Sequence, residues 1–399
     1  MREQVEHEAA AAADAVALLS DDGVMRALER ASVLVEERHD AIAAANAEDV
    51  RASNLDEGAL DRLRLDDERI AALGVQLSEL AVLPPLERAE DAWELENGLR
   101  ISVLRIPIGA VGANFEARPN VAVDVAGQLL KSLNAAVLRT GGAALRTVTV
   151  LVDEVLRPAL ADAGMPPEAV GLVRSPDREG ARILVSLPQV LPLVILRGSG
   201  ETTAALAREA AAHGVRTLAH AEGGGVLYIG AAADPAKAEA LVEASLDRLG
   251  VCNRLNLLLV DRAAKVELGP VLERLGIAVR EPERLGHEWA NDSEHSASVT
   301  VRGVDSLEEA VGIANRETSG LAASIVTEDE EAAQSFLSGY RGTAAFWNAT
   351  TRFTDGFALT GSPETGINVD RVPGPRGPVT YRDLYLRQYR VVGDGTQHR

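Results

Sequence analysis

Cys252 is the only cysteine among 399 residues, and it is the first candidate for a catalytic nucleophile. It follows an amphipathic segment and precedes a strongly apolar one, so it lies where two predicted elements join and where a side chain can reach a cleft. A thiolate is the best protein nucleophile near neutral pH and forms covalent acyl intermediates. The alternative is a small buried hydrophobic residue, the usual role of a lone cysteine. One cysteine forms no internal disulfide, so we expect a reducing, cytoplasmic setting.

Three glycine-containing segments lie where predicted strands end, at residues 140–142, 197–200 and 222–225. The first two precede predicted helices, where free backbone N–H groups can bind phosphate. The alternative is a tight turn between a strand and a helix. The sequence lacks the G-x-G-x-x-G and G-x-x-x-x-G-K-[ST] patterns of the common dinucleotide and nucleoside triphosphate loops.

The composition argues against metal, nucleic acid and membrane partners. The seven histidines lack the spacing of a metal site, and one cysteine excludes a thiolate cluster, so we expect no metal. The formal charge of −20 repels phosphate backbones, and an aromatic content of 3% leaves few rings for stacking on bases. No apolar run of membrane-spanning length and no signal-peptide pattern is present, so we expect neither a membrane span nor secretion. A small-molecule substrate is the expected partner.

The apolar spacing predicts helices followed by two α/β domains. Residues 5–80 have helical periodicity, with one apolar face at Ala31, Leu34, Val35, Ile42 and Ala45. From residue 83, short β-rich segments alternate with helical ones, which is typical of βαβ units around a parallel sheet. A helix over 237–249 followed by a strand over 255–260 indicates a division between the domains near residue 245.

The dipeptide Asn97-Gly98 predicts a β-hairpin between two apolar segments. Its expected turn is type I′, in which both central residues have positive φ. A hairpin with an apolar face and no obvious partner in its own chain often pairs with another subunit.

Three segments of the chain resemble the γ-glutamyl phosphate reductases, or glutamate-5-semialdehyde dehydrogenases, of the aldehyde dehydrogenase superfamily. They are Val251-Cys252-Asn253, residues 106–120 with Ile106-Pro107-Ile108-Gly109 and Phe115-Glu116-Ala117-Arg118-Pro119-Asn120, and Asn348-Ala349-Thr350-Thr351-Arg352-Phe353-Thr354-Asp355-Gly356. Further matches are residues 44–46, 61–65, 97–101 and 364–367. These motifs follow one another over nearly the whole chain, which makes the resemblance far more specific than any single glycine loop.

The resemblance implies an α/β, aldehyde dehydrogenase-like fold. A Rossmann-like cofactor-binding domain would comprise residues 1–90 and 107–245, and an α/β catalytic domain would comprise residues 246–375. A β-hairpin oligomerisation arm would comprise residues 91–106 and 376–399, in a homodimer or homotetramer. This superfamily binds nicotinamide cofactors without the G-x-G-x-x-G pattern, which accounts for the absence of that pattern here.

The resemblance also implies NADPH-dependent reduction of γ-glutamyl phosphate, as in proline biosynthesis. Cys252 would displace phosphate to form a thioester that is reduced to the aldehyde, and Asn253 would orient the thiolate or the substrate. The residues expected to bind the substrate are Arg118, Asn120 and Arg352. The residues expected to hold the cofactor are Pro107, Gly109, Arg139, Gly141, Gly142, Gly198 and Ser199. The general acid or base stays unassigned, although His220 and Glu222 lie near its place in hydrolytic relatives.

Simple electrostatics supports the two arginines and leaves alternatives. An acyl phosphate brings at least two negative charges to an acidic protein, so local cations must attract it. Arg118 and Arg352 can bind phosphate or carboxylate with two parallel hydrogen bonds, which lysine cannot copy. The alternative for each is a surface or interdomain ion pair, and for Asn253 it is a side chain that stabilises a turn.

Three positions depart from the family pattern. Asn256, Leu321 and Ala323 stand where the resembled family carries polar or charged residues. We therefore expect the free amino acid end of a glutamyl substrate to be bound poorly. The alternative function is a related reductase or dehydrogenase that acts on a different acyl phosphate, acyl thioester or aldehyde in a specialised pathway.

Overall fold

The computed structural model describes residues 1–55, 57–198, 200–220, 223–247, 251–280, 297–370 and 374–397. The helices are α1 (Arg2–Ala15), α2 (Asp21–Glu37), α3 (His39–Ala52), α4 (Glu57–Leu63), α5 (Asp67–Val82), α6 (Asn120–Lys131), α7 (Leu145–Val150), α8 (Arg157–Asp162), α9 (Arg178–Leu184), α10 (Gly200–His213), α11 (Pro235–Ser245), α12 (Gly269–Arg274), α13 (Leu307–Arg316), α14 (Glu330–Gly339) and α15 (Gly356–Thr360). The strands are β1 (Ala89–Glu94), β2 (Arg100–Ile106), β3 (Ala110–Phe115), β4 (Ala135–Thr140), β5 (Val170–Leu172), β6 (Leu193–Arg197), β7 (Arg216–His220), β8 (Gly225–Ile229), β9 (Leu255–Asp261), β10 (Ala278–Arg280), β11 (Ser298–Val304), β12 (Ala322–Val326), β13 (Ala344–Trp347), β14 (Gly366–Asn368), β15 (Gly377–Val379) and β16 (Leu386–Val392).

Helices α1 to α5 confirm the predicted helical region at the start of the chain. The polar break before α2 is a helix cap, because the Ser20 side chain accepts a hydrogen bond from the Gly23 amide at 3.2 Å. The predicted face of α2 is buried at Ala31, Leu34 and Val35. These side chains belong to the same hydrophobic core as the first sheet, so the helices cover that sheet.

The first sheet is parallel and has the strand order β5-β4-β3-β6-β7. Strands β3 and β4 are buried along their whole length, as expected for parallel strands covered on both faces. The chain adds strands outward from β3 on one side and then returns to add β6 and β7 on the other. The carboxyl ends of β3 and β6 therefore flank a topological switch point, the place where open α/β sheets bind their ligands.

The second sheet is also parallel and has the order β10-β11-β9-β8-β12-β13. It corrects the expected division at residue 245, because β8 pairs with β9 and β12 of this sheet. The change from one sheet to the other therefore falls between His220 and Gly225. The helix expected over 237–249 is shorter at its carboxyl end and stops at Ser245.

Strands β1, β2 and β16 form a separate antiparallel sheet, which we call the arm. Its hairpin is confirmed, but its turn differs from the predicted type I′. Gly98 has a φ of +84°, whereas Asn97 is not among the residues with positive φ. The Gly98 amide donates to the Leu95 carbonyl and the Leu95 amide to the Leu99 carbonyl, both at 2.8 Å. This pattern is a three-residue loop that ends in a glycine bulge.

Residues 376–385 lie outside the arm, which corrects the predicted boundary at residue 376. Strand β15 pairs with β14 instead. Tyr381 is buried in the core of the first sheet, and its amide donates a 2.6 Å hydrogen bond to Gln128. Within the described part of the chain, no helix is long and apolar enough to cross a bilayer.

Candidate active site

Opposite edges of the two sheets meet at Cys252. Arg118 follows β3, while Arg197 and His220 end β6 and β7, so all three lie at the carboxyl edge of the first sheet. Cys252 precedes β9 and Gly223 precedes β8, at the amino edge of the second sheet. The charges of Arg118 and Arg197 act on the Cys252 thiol, so the cleft brings these two edges together.

Two glycines support the backbone at Cys252. The Gly224 amide donates to the Cys252 carbonyl at 2.6 Å. A β-carbon at Gly223 would lie 2.8 Å from both the Cβ and the carbonyl oxygen of Cys252, and Gly224 has a φ of +99°. Only glycine allows this approach and this conformation without strain. The glycine segment before β8 thus holds the loop that carries the candidate nucleophile.

Burial and charge act in opposite directions on the Cys252 thiol. Burial raises the pKa of Cys252 above its ordinary value, and the carboxyl group of Glu364 raises it further. The guanidinium groups of Arg118 and Arg197 lower it, because they stabilise a thiolate. The net direction is upward, so the thiol is protonated near neutral pH in the free protein, and the two arginines are the groups that favour its ionisation.

Asn253 and Arg352, expected at the reacting centre, are bound to the protein itself. The Asn253 amide group donates to the carbonyl oxygens of Arg352 and Thr354, both at 3.0 Å. The Arg352 guanidinium binds the Asn253 side-chain oxygen and forms a 2.7 Å ion pair with Asp247. The structure therefore places both side chains in the scaffold beside Cys252, which corresponds to the alternatives of a turn asparagine and an ion-paired arginine.

A cavity of about 350 Å³ adjoins this centre. Arg118 and Asn120 line it, as their predicted role in substrate binding requires. It is also lined by three residues that sequence reasoning did not single out: Asp124, Arg197 and Glu364. The only signals for them in the sequence were the glycine segment that begins with Arg197 and the motif that begins with Glu364. The cavity wall also includes Asp61, Arg62, Arg64, Leu65, Arg69, Ala72, Leu73, Gln76, Val121, Asp355, Phe357 and Pro363.

Asp124 is a strongly perturbed carboxyl group of this cavity. Only 9% of the residue is exposed, and burial raises its pKa to about 7, with a further upward effect from Glu364 and an opposing one from Arg197. Asn120 lies one helical turn earlier on α6 and donates to one carboxyl oxygen at 3.1 Å. The other oxygen, Oδ1, is buried without a hydrogen-bond partner among the described residues.

His220 lies at the same edge and is held neutral. Burial, together with the charges of Arg197 and Arg118, lowers its pKa to about 4. Its Nδ1 lies 2.8 Å from the carbonyl oxygen of Ile367, which fixes the ring against β14. This contact joins β7 to β14 at the same edge of the first sheet as Arg197. Glu222 lies outside the described residues.

The three departures from the family pattern occupy different environments. Leu321 is fully buried in a small apolar cluster with Ala322 and Ile367, and Cys252 packs against that cluster. Ala323 instead faces the core between the second sheet and its helices, so it does not line the cleft. Asn256 is 3% exposed and lies against Gly224. Leu321 is therefore placed where it can affect the acyl chain beside the thiol.

The predicted cofactor residues divide between opposite edges of the first sheet. Gly141, Gly142 and Gly198 follow the carboxyl ends of β4 and β6, at the expected edge. Pro107 and Gly109 precede β3 and therefore lie at the amino edge, about 20 Å away along a six-residue strand. This register corrects their predicted role, because a loop at one end of a parallel strand cannot share a site with loops at the other end.

The predicted cofactor-binding role of Arg139 is also corrected. Ser199, the remaining predicted cofactor residue, lies outside the described residues. The Arg139 side chain donates to Asn114, at 3.1 Å, and to the carbonyl oxygens of Pro176 and Asp177, at 3.1 and 2.9 Å. The residue is 4% exposed, and burial lowers its pKa. It therefore clamps the end of β4 to the loop after β5 and presents little to a cofactor.

Other possible sites carry less chemistry. A concavity of about 550 Å³ between α3 and α7 is lined by Glu48, Arg146 and Arg174 among others. None of these three is among the charged groups that shift the Cys252 pKa. Among the described residues, no three His, Cys, Asp or Glu side chains are grouped as a metal site.

The paired parallel sheets, the arm and the cysteine between facing edges define an aldehyde dehydrogenase-type oxidoreductase. Residues 297–377 match the aldehyde dehydrogenase family. An acetylating aldehyde dehydrogenase from Geobacillus thermoglucosidasius shares the fold, with a TM-score of 0.74 over 100% of this chain and 98% of that chain at 16% identity. Membership of this class supports the use of a nicotinamide cofactor.

Nearer relatives specify the family within this class. The chain is 36% identical to the γ-glutamyl phosphate reductase of Rhodospirillum rubrum and 38% identical to that of Clavibacter michiganensis, over 89% of this chain and 86% of each relative. The crystal structure of γ-glutamyl phosphate reductase from Thermotoga maritima matches with a TM-score of 0.89 at 28% identity, covering 99% of this chain and 100% of that one. The chain therefore belongs to the γ-glutamyl phosphate reductase family and is an oxidoreductase enzyme.

Proposed function

We propose that the enzyme reduces γ-glutamyl phosphate to glutamate-5-semialdehyde with NADPH, through a thioester on Cys252, as in proline biosynthesis. The observation that carries the proposal is the position of the Cys252 thiol within the electrostatic reach of Arg118 and Arg197. A nucleophile flanked by two cations suits an acylated anion, because the cations attract the phosphate and also favour the thiolate.

In the first step, the Cys252 sulfur attacks the acyl carbon and the C–O bond to phosphate breaks. Phosphate leaves with the bonding electrons, and Arg118 and Arg197 balance its charge. The proton of the thiol passes to solvent or to the departing phosphate, so no protein base is required. Gly223 and Gly224 keep the loop of Cys252 in one position while the thioester exists.

The carboxyl edge of the first sheet fits a dinucleotide. A β-carbon at Gly141 would meet nothing within 4 Å, which leaves open space beside the end of β4. Gly198 lies across the switch point from Glu116. A β-carbon built at Gly198 would lie 3.4 Å from the Glu116 carboxyl group. Gly141, Gly142 and Gly198 would hold the cofactor, and the bound nicotinamide supplies the hydride that reduces the thioester. Cys252 is released as the thiolate when the aldehyde leaves, and it regains its proton from solvent.

The experiment is the reverse reaction, followed through the formation of NADPH. Purified protein, glutamate-5-semialdehyde and NADP⁺ should give NADPH only when inorganic phosphate is present. Product formed with coenzyme A in place of phosphate would replace this proposal with the alternative of a reductase for acyl thioesters. The contact of Cys252 with the apolar Leu321 cluster favours that alternative, so a panel of aliphatic aldehydes belongs in the same assay.

The arm supports a further part of the proposal, a homodimer or homotetramer. The rings of Trp93 and Tyr389 pack edge to face, with their centroids 6.4 Å apart. The two residues are 40% and 60% exposed. Val391 on β16 is 53% exposed, so the arm presents apolar surface that a second subunit can cover. Light scattering should give the mass of a dimer or tetramer for the wild type and a lower average mass for Tyr389→Glu. A monomeric wild-type protein would contradict the proposed oligomer. The free thiol of Cys252 suits a reducing compartment, and we place the enzyme in the cytoplasm.

A further inference from the structure

Two oppositely charged side chains in the cavity have buried polar atoms without protein partners. They are Oδ1 of Asp124 and Nε of Arg197, and neither has a hydrogen-bond partner among the described residues. Native proteins satisfy nearly all such atoms, so each exception needs an explanation. A ligand that carries both an anionic and a cationic group would supply both missing partners.

Two charged residues of the cavity, Arg197 and Glu364, act on both Cys252 and Asp124. Arg118, Arg197 and Glu364 are the charges that shift the pKa of Cys252. Arg197 and Glu364 also act on Asp124, which is not among the main groups acting on Cys252. Asp124 therefore shares Arg197 and Glu364 as charged neighbours with Cys252, and it lines the same cavity as both of them. A substrate acylated at Cys252 would reach Asp124 with its far end.

We propose that Asp124, oriented by Asn120, binds the α-ammonium group of the substrate and makes the enzyme specific for a free amino acid. This inference rests on the proposed function and names the residue that recognises the amino end. The Asn120 amide already occupies one carboxyl oxygen of Asp124, at 3.1 Å, which leaves Oδ1 for an ammonium N–H. Arg62 and Arg64 line the same cavity and supply cations for the neighbouring α-carboxylate.

The proposal reverses the expectation drawn from the three departures. Ala323 lies in the core, and Asn256 lies against Gly224, so their lack of charge says little about the amino end. The charge needed for that end comes instead from α6, in the segment that also carries Arg118. A buried carboxylate without its ligand is costly, and a substrate that lacks the ammonium group leaves it in that state.

The test compares glutamate-5-semialdehyde with its des-amino analogue, 5-oxopentanoate, in the phosphate-dependent reverse reaction. For Asp124→Asn, kcat/KM with the amino substrate should fall by about 30-fold or more, while kcat/KM with 5-oxopentanoate changes little. The amino aldehyde equilibrates with its cyclic imine, so the two proteins are compared at equal total substrate. Asp153→Asn is the matched control, because it removes one negative charge outside the cavity, from a carboxylate paired with Arg174 at 2.6 Å. It should leave the preference for the amino substrate unchanged.

The outcomes separate this inference from the proposed function. If wild-type protein turns over neither substrate, the proposed function fails, and the inference falls with it. If wild-type protein is active and Asp124→Asn loses the same factor with both substrates, only the inference is overturned. Should Asp124→Asn fail to fold, Asn120→Ala removes the hydrogen bond that orients Asp124 and should reduce the amino preference in part. An unchanged preference in a folded Asn120→Ala protein with a KM equal to that of wild type would then overturn the inference.

Discussion

The two walls of the cleft use their polar groups in different ways. On the second-sheet wall, Arg352 and Asn253 bind each other, Asp247 and nearby carbonyl groups. On the first-sheet wall, Arg197 and Asp124 keep buried polar atoms without protein partners among the described residues. One wall therefore fixes the nucleophile, and the other presents charge to a ligand. Arg254 and Thr354 on the second-sheet side also have buried polar atoms without partners among the described residues, but neither lines the cavity, so the difference lies in which unpaired groups face it.

The largest effect should come from the residue between the walls. Cys252→Ala should lower kcat by about four orders of magnitude or more, because no other described side chain can form the thioester. Alanine keeps the packing against Gly223, so the melting temperature and NADPH affinity should stay near those of the wild type. NADPH formation, calorimetric binding and a thermal melt check these three expectations. Turnover at the wild-type rate would end the proposed mechanism.

A substitution on the second-sheet wall can move the loop of Cys252 without changing the thiol itself. Gly223→Ala should lower kcat about 100-fold, because its β-carbon needs the space of the Cys252 backbone and must displace it. Gly269→Ala is the matched control, since a β-carbon there meets nothing within 4 Å. The rate of Cys252 alkylation should change in Gly223→Ala and not in the control. Equal kcat values in the two variants would show that the position of the loop is unimportant.

Two arginine variants test the first-sheet wall. Arg197→Gln should raise KM for phosphate in the reverse reaction by about 10- to 100-fold, because a charged hydrogen bond to the ligand is lost. Arg118→Lys should act in the same direction, since lysine keeps the charge but loses the planar fork. Neither change should alter NADP⁺ affinity. A cofactor effect without a phosphate effect would assign these arginines to the cofactor site.

Arg352→Gln tests the second-sheet wall and should give the opposite result. It removes the ion pair with Asp247 and the bond to Asn253, so the melting temperature should fall by about 2–5 °C. KM for phosphate should stay close to its wild-type value, because the guanidinium is occupied by protein groups. A rise in KM equal to that of Arg197→Gln, with no loss of stability, would restore Arg352 to the substrate site.

The sequence predicts the elements of the fold better than the relations among them. Helical periodicity identifies the face of α2, and apolar runs identify the buried strands, because both signals are local. The assignment of β8 to the second sheet depends on hydrogen bonds to β9 and β12, whose residues are distant in the chain. The turn at Asn97-Gly98 shows the same limit, since the dipeptide suits two hairpin loops and the strand register selects one.

The site shows a similar division. Cys252, Arg118 and Asn120 were found because they occur in motifs that continue along the chain. Pro107 and Gly109 were misplaced because a motif spanning residues 106–120 runs across β3 and joins opposite edges of the sheet. Asp124 and Arg197 were missed because their signal is a buried atom without a partner, which exists only after folding.

The ligand-binding wall also predicts how the stability of Asp124→Asn changes with pH. The pKa of Asp124 is about 7 in the folded protein and 3.8 for the unperturbed group, so folding disfavours its ionised form. The wild type therefore loses stability as the pH rises from about 4 to about 7, whereas a neutral asparagine at this position does not. Arg197, Glu364 and Asn120 face the group, and Glu364 also has a raised pKa that shifts stability in the same direction in both proteins.

The melting temperature of Asp124→Asn relative to wild type should consequently rise by about 2–5 °C between pH 5 and pH 8. Thermal melts of the two proteins in matched buffers measure it, and Asp153→Asn serves again as control because its carboxylate is partly exposed and already paired with Arg174. Addition of a zwitterionic amino acid ligand at pH 8 should reduce the difference, since its ammonium group supplies the missing partner of Oδ1. A melting-temperature difference that does not depend on pH would mean that Asp124 is ionised and hydrogen-bonded without a ligand. The contrast between the two walls would then rest on Arg197 alone.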